Sequence, residues 1–262
     1  MYIAFMDTSA ADAASEKAAL GTPIVSTATP PDLQALTLIP VSQTIKVTSI
    51  LILGTIGLSW GFAAHQGVVA KGELPLISDL WVYIPGDWFS RWGVMLTSTL
   101  LCVSLVSFYT LEFPTTKPAG VDLALVATAV GIVAAVALGM TGIINEQENT
   151  ELHLGAATVF NLGLDVYMIF ALVASLFMAA PATGRWARVL RWALWFVSMV
   201  ANVRVRSVAR FLTHIVHEHH GCAFSSHIHA AARGELPPGV YAVYEWVDLL
   251  VLLAFFNLSG PY

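Results

Sequence analysis

Apolar residues in this chain gather into five long runs of about 17–25 residues and one broken run. About 20 apolar residues cross the ~30 Å hydrocarbon core of a bilayer as a helix. Backbone groups meet no water there, so each span must satisfy its own hydrogen bonds. The runs predict helices at about Lys46 to Val69, Trp92 to Phe113, Val121 to Ile144, Leu154 to Ala180 and Val240 to Leu258. Between the last two lies the broken run. It starts near Val189, is clean only from Trp192 to Val203, and then meets Arg204, Arg206 and Arg210. A continuous helix to about Leu212 places Asn202, Arg206, Arg210, His214 and His217 on one face, at steps of three and four. The competing reading is a short helix that leaves the bilayer, followed by an amphipathic helix on its surface. The expected fold is an all-α polytopic membrane bundle of about six transmembrane helices over residues 45–262, behind a disordered tail over 1–44.

Composition agrees with that class: the chain is 57% hydrophobic and only 11% charged, with a mean hydropathy of +0.73. The tail is rich in Ala, Ser, Thr and Pro and lacks the basic start and compact apolar core of a cleaved signal peptide. A membrane-lying helix near Leu33–Leu38 is the one element that it offers. A net charge of −5, with 12 basic residues in no dense patch, excludes nucleic acid as a partner. Two cysteines make no disulfide framework. Cys102 falls within a span and Cys222 in a loop, so the two are not expected to pair. Lys117, Arg185, Arg188 and Arg191 in the short even-numbered loops put both termini in the cytosol. The sequon Asn257-Leu258-Ser259 then stays unglycosylated.

In six spans, the first, third and fifth loops share one side, here the outer one, and polar chemistry collects there. His65 closes helix 1. The first loop brings Asp79, Asp87 and Arg91, and Glu151 and His153 open helix 4. The fifth loop holds a dense run of histidines. His217, His219 and His220, with His227 and His229, could supply nitrogen ligands for zinc or copper, although the spacing matches no tight metal motif. The alternative is a solvated histidine-rich loop with no metal and no cofactor. A haem site on His65 and His153 has still less support, since both sit at helix ends.

Carboxylates within a span are costly and need partners. Glu245 and Asp248 lie in the first turns of helix 6, and Glu245 is expected to pair with Arg206 or Arg210 of helix 5. Asp165 is the deepest acid, with Asn161 one turn away on the same face. Two roles are open to it: an interhelical hydrogen-bonding pair, or a proton-carrying or substrate-contacting acid, with desolvation favouring its neutral form. The first loop, with Pro75, Pro85-Gly86 and the aromatics Trp81, Tyr83, Trp88 and Trp92, reads as an ordered interfacial loop that could also act as a lid.

In this order, the fragments resemble a family that groups the FGF-receptor-activating protein, the DRAM autophagy modulators, the N-terminal domain of the yeast Cwh protein and a Golgi protein of GPI-anchor lipid remodelling. The resemblance is carried by Pro75-x-Ile77-Ser78-Asp79, Pro85 and the aromatic-Arg91 start of helix 2. It continues in His153-x-Gly155-Ala156 with Phe160, His219-His220-Gly221-Cys222, Tyr241-Ala242-Val243-Tyr244-Glu245-Trp246 and Ala254-Phe255-Phe256-Asn257. It covers roughly residues 46–262. His220 stands where an Asn is usual, and the Cys222–Gly239 segment is longer and richer in histidine.

The resemblance implies a lipid-remodelling factor of the secretory pathway, with membrane lipid as its partner. On that reading His153, Glu245 and Asp79 are the candidate catalytic residues, with a histidine as the base. No GxSxG nucleophile is present. The DRAM and receptor branches imply instead a non-catalytic scaffold, accessory subunit or regulator that meets other membrane subunits, in the endoplasmic reticulum, Golgi or lysosome. A proton or metal transporter fits least, since no internal repeat is visible.

Overall fold

The computed structural model is described here for residues 41–67, 69, 74–82, 84–111, 122–145, 148–176, 185–218 and 240–259, without the side chains of 111, 150, 185, 204–218, 240, 241 and 259. It contains six α-helices: α1 Val41–His65, α2 Gly86–Leu111, α3 Leu123–Ile143, α4 Thr150–Leu176, α5 Arg185–Glu218 and α6 Val240–Ser259. A short 3-10 helix, Ser78–Trp81, sits between α1 and α2. The expected disordered tail lies outside the described residues.

Each helix packs on the next in the chain, and α6 returns to α1, so the six close into a ring. Contacts at the helix ends fix alternating directions. Tyr109 near the end of α2 donates to Asp122 at the start of α3 (3.1 Å), and Asn257 near the end of α6 donates to Ser49 near the start of α1 (2.9 Å). Arg191 near the start of α5 donates to the Leu258 carbonyl at the end of α6, where a cation satisfies a terminal carbonyl.

Four helices are long and apolar enough to cross a membrane: Val41–His65, Gly86–Thr110, Leu123–Ile143 and Glu151–Leu176. Their flanks carry exposed Ile50, Leu58, Val103, Val133 and Val159, a surface suited to lipid. The expectation of six spans is therefore met by six helices but only four clear spans among the described residues. α5 carries several arginines, and α6, of 20 residues, holds two carboxylates. α5 is nevertheless one continuous helix of 34 residues, about 51 Å at 1.5 Å per residue, and not the short helix that exits the bilayer.

Small residues let the helices approach closely. A Cβ placed on Gly142 of α3 would lie 2.5 Å from the Val94 Cβ of α2, and one on Gly163 of α4 would lie 2.7 Å from the Ala134 Cβ of α3. Two helix starts differ from the sequence expectation for a local reason. α4 begins at Thr150 because Asn149 caps it, its Oδ1 accepting the Leu152 N–H at 3.0 Å. α2 begins at Gly86, after Pro85, so Asp87 and Arg91 form an i,i+4 pair within the helix and are not loop residues.

Candidate functional site

Two polar clusters stand out. The first lies at the end of the bundle that carries His65. Here Arg91 of α2 spreads its guanidinium over three partners. Its Nε lies 3.0 Å from Asp87 Oδ1, its Nη1 donates to the Ile143 carbonyl at 2.7 Å, and its Nη2 reaches Glu148 Oε1 at 2.5 Å. Buried Asn145 donates to the same Asp87 oxygen at 3.1 Å and accepts the Glu148 N–H at 2.9 Å. His153, only 2% exposed, donates from Nδ1 to the Ile144 carbonyl at 2.6 Å. Every one of these bonds reaches the α3–α4 connector or the start of α2. Together they clasp that connector.

A second clasp holds the segment before α2. Glu245, half-buried near the start of α6, accepts the Ile77 N–H at 2.7 Å, and the neighbouring Trp246 indole donates to the Pro75 carbonyl at 2.9 Å. Trp246 also packs on Trp60 of α1, with ring centroids 5.4 Å apart. Asp79, two residues after Ile77, is half-buried in the 3-10 helix, and its carbonyl accepts the Val82 N–H. His65 is exposed in the last turn of α1. The bonds described for His153 thus belong to one clasp and those for Glu245 to the other.

The second cluster lies near the midpoints of α4, α5 and α6. Asp165 and Asp248 are buried, at 2% and 5% exposure. The Ser198 hydroxyl of α5 lies 2.6 Å from Asp248 Oδ1 and 2.9 Å from Asp165 Oδ1. Asn202, one turn along α5, donates to Asp165 Oδ2 at 2.7 Å and reaches Asp248 Oδ1 at 3.5 Å. The Trp195 indole donates to the Asp165 carbonyl. Asp165 therefore bonds across helices to Ser198 and Asn202. Asn161, the partner expected from its own helix, is half-buried one turn away. Asp248 lies in the third turn of α6, deeper than its sequence position suggested.

The sequence reading did not single out Ser198, Asn145 or Glu148. Ser198 and Asn202 at i,i+4 inside the apolar run Trp192–Val203 were the available signal. The expected partners of Glu245, the side chains of Arg206 and Arg210, lie outside the described residues. So do the side chain of His217 and all of His219 and His220, and with them the zinc reading. Among the described residues, no group of three His, Cys, Asp or Glu side chains could hold a metal ion.

No curated protein and no solved structure matches the chain. A family model does, over residues 40–259, and that is most of the chain and all six helices. The protein is an integral membrane protein that belongs to the family described as the Frag1/DRAM/Sfk1/Cwh43P N-terminal domain.

Proposed function

We propose that this protein is a non-catalytic accessory or regulatory component of a membrane of the secretory pathway or lysosome, acting through its fold and its lipid-facing flanks. The supporting observation is the use made of the two side chains that acyl transfer would need most. His153 spends Nδ1 on the Ile144 carbonyl, and Glu245 spends a carboxylate oxygen on the Ile77 N–H. Both hold backbone in place at the ends of connectors. The family resemblance supports the compartment, and the basic residues Lys117, Arg185, Arg188 and Arg191 support cytosolic termini.

GPI-anchor lipid remodelling is the second reading, and one feature favours it. Donation from Nδ1 to a carbonyl fixes the tautomer, so the neutral His153 ring presents Nε2 as an acceptor, as a general base does. Acyl transfer decides between the two. The full chain in lipid nanodiscs, supplied with a lysolipid acceptor and an acyl-CoA, is expected to form no more acylated product by mass spectrometry than protein-free discs. Product formation that is lost in a folded His153→Gln variant would overturn the proposal in favour of remodelling.

A further inference from the structure

We propose that the end of the bundle opposite His65 binds an anionic phospholipid, with its headgroup held by Lys46 of α1 and Arg188 of α5 and one acyl chain lying along α5. The last turn of α6 brings these two helices together. Asn257 donates to Ser49 of α1, and its neighbour Leu258 accepts from Arg191 of α5. Lys46 stands three residues before Ser49, and Arg188 three residues before Arg191. Both helices start at this end, so each cation lies about one helical turn further out than the contact beside it. The two cations therefore flank the end of α6.

Among the described residues, both ion pairs belong to Arg91, at the other end of the bundle. Asp122, the one acid of the described residues at this end, accepts from the Tyr109 hydroxyl and from the Leu125 N–H of α3. Lys46 is exposed and Arg188 half-buried. A guanidinium partly withdrawn from water is costly without a counter-ion. Nor does the charge serve α5 itself: the first turn of a helix favours acids, and this one has none. An anion from outside the chain satisfies both cations.

The apolar part of a lipid has a place beside them. Trp186, Val189, Ala193, Phe196, Val200 and Val203 recur every three or four residues along α5, and all are exposed. The stripe runs for about 25 Å at 1.5 Å per residue, longer than the roughly 15 Å that one leaflet of a ~30 Å core gives an acyl chain. Trp186, 83% exposed in the same turn as Arg188, suits the level where tryptophan rings meet headgroups. A soluble phosphate would use the cations alone, and the stripe commits the site to a lipid. The site is separate from the question of acyl transfer, since His153 and Glu245 lie near the start of α4 and the start of α6, at the opposite end.

Native mass spectrometry of the full chain, in detergent holding equal amounts of phosphatidylglycerol and phosphatidylcholine, tests this. The wild type is expected to favour phosphatidylglycerol as its first bound lipid by on the order of tenfold, the scale of two basic residues near an anionic lipid. A folded K46Q/R188Q variant is expected to lose most of that preference, and K46R/R188K to keep it. Millimolar glycerol 3-phosphate is expected to leave the lipid bound. In nanodiscs, phosphatidylglycerol with brominated chains is expected to quench Trp186 more than brominated phosphatidylcholine does, read as the difference between wild type and W186F. Equal retention of the two lipids by the wild type would overturn the proposal, as would a preference unchanged in K46Q/R188Q. Displacement by glycerol 3-phosphate would show a site for soluble anions and overturn it too. Equal quenching of Trp186 by the two lipids would do so without the charge variants.

Discussion

Moving one methyl group across the α3–α4 contact tests whether close helix approach holds this bundle together. A Cβ on Gly163 would lie 2.7 Å from the Ala134 Cβ, roughly 1 Å inside the ordinary carbon–carbon contact of about 3.5–4.0 Å. Ala134 is fully buried and has no rotamer with which to escape. Gly163→Ala therefore overpacks the interface, at about 1–3 kcal/mol, offset by up to about 1 kcal/mol of helix propensity. Ala134→Gly loses about 1 kcal/mol of propensity and leaves a methyl-sized gap. If the sites were independent, the double variant would lose roughly 2–3 kcal/mol. With the contact as described, the methyl on 163 fills the gap at 134 and the propensities cancel, so the double variant should lie within about 1 kcal/mol of wild type. Melting of the three variants in one detergent, at roughly 2–4 °C per kcal/mol, resolves the difference. A double variant that melts at the additive position would refute the packing.

Further predictions follow from the same contacts. Asp87→Ala leaves Arg91 Nε and Asn145 Nδ2 without their acceptor and should cost about 1–3 kcal/mol by thermal unfolding, with Arg91→Ala adding less than its own single effect. Gly142→Ala, driven into buried Val94, should destabilise by about 1–3 kcal/mol, whereas Gly57→Ala, with nothing within 4 Å of its Cβ, should be neutral or stabilising in the same melt. Asn257 should carry no glycan. Its amide donates to Ser49 and to the Leu253 carbonyl at the end of α6, and a mass shift on glycosidase treatment would contradict cytosolic termini.

Much of the fold was legible because membrane helices announce themselves by apolar runs as long as the bilayer is thick. Run boundaries were less legible. Asp87 and Arg91 read as loop, yet they are helical, with Arg91 meeting Asp87, Ile143 and Glu148 within reach of one side chain, and α4 starts at Thr150, ahead of the expected Leu154, because Asn149 caps it. Asp165 was legible as a buried acid in need of partners, since a charge in an apolar run is conspicuous. Its partners were not, because the rotation of α5 and α6 about their axes decides which of their polar residues meet it. Ser198 is small and common in membrane helices and carries no mark until Asp165 and Asp248 are placed on either side of it.

Hydrogen–deuterium exchange of the full chain in nanodiscs, compared among wild type, Glu245→Ala and His153→Ala, bears most directly on the claim that these side chains hold connectors in place. Glu245→Ala is predicted to speed exchange in the segment around Ile77, and His153→Ala in the connector from Ile144 to Asn149, while α1 and α3 remain protected in both. Exchange unchanged in both segments would contradict the account and leave His153 and Glu245 available for chemistry.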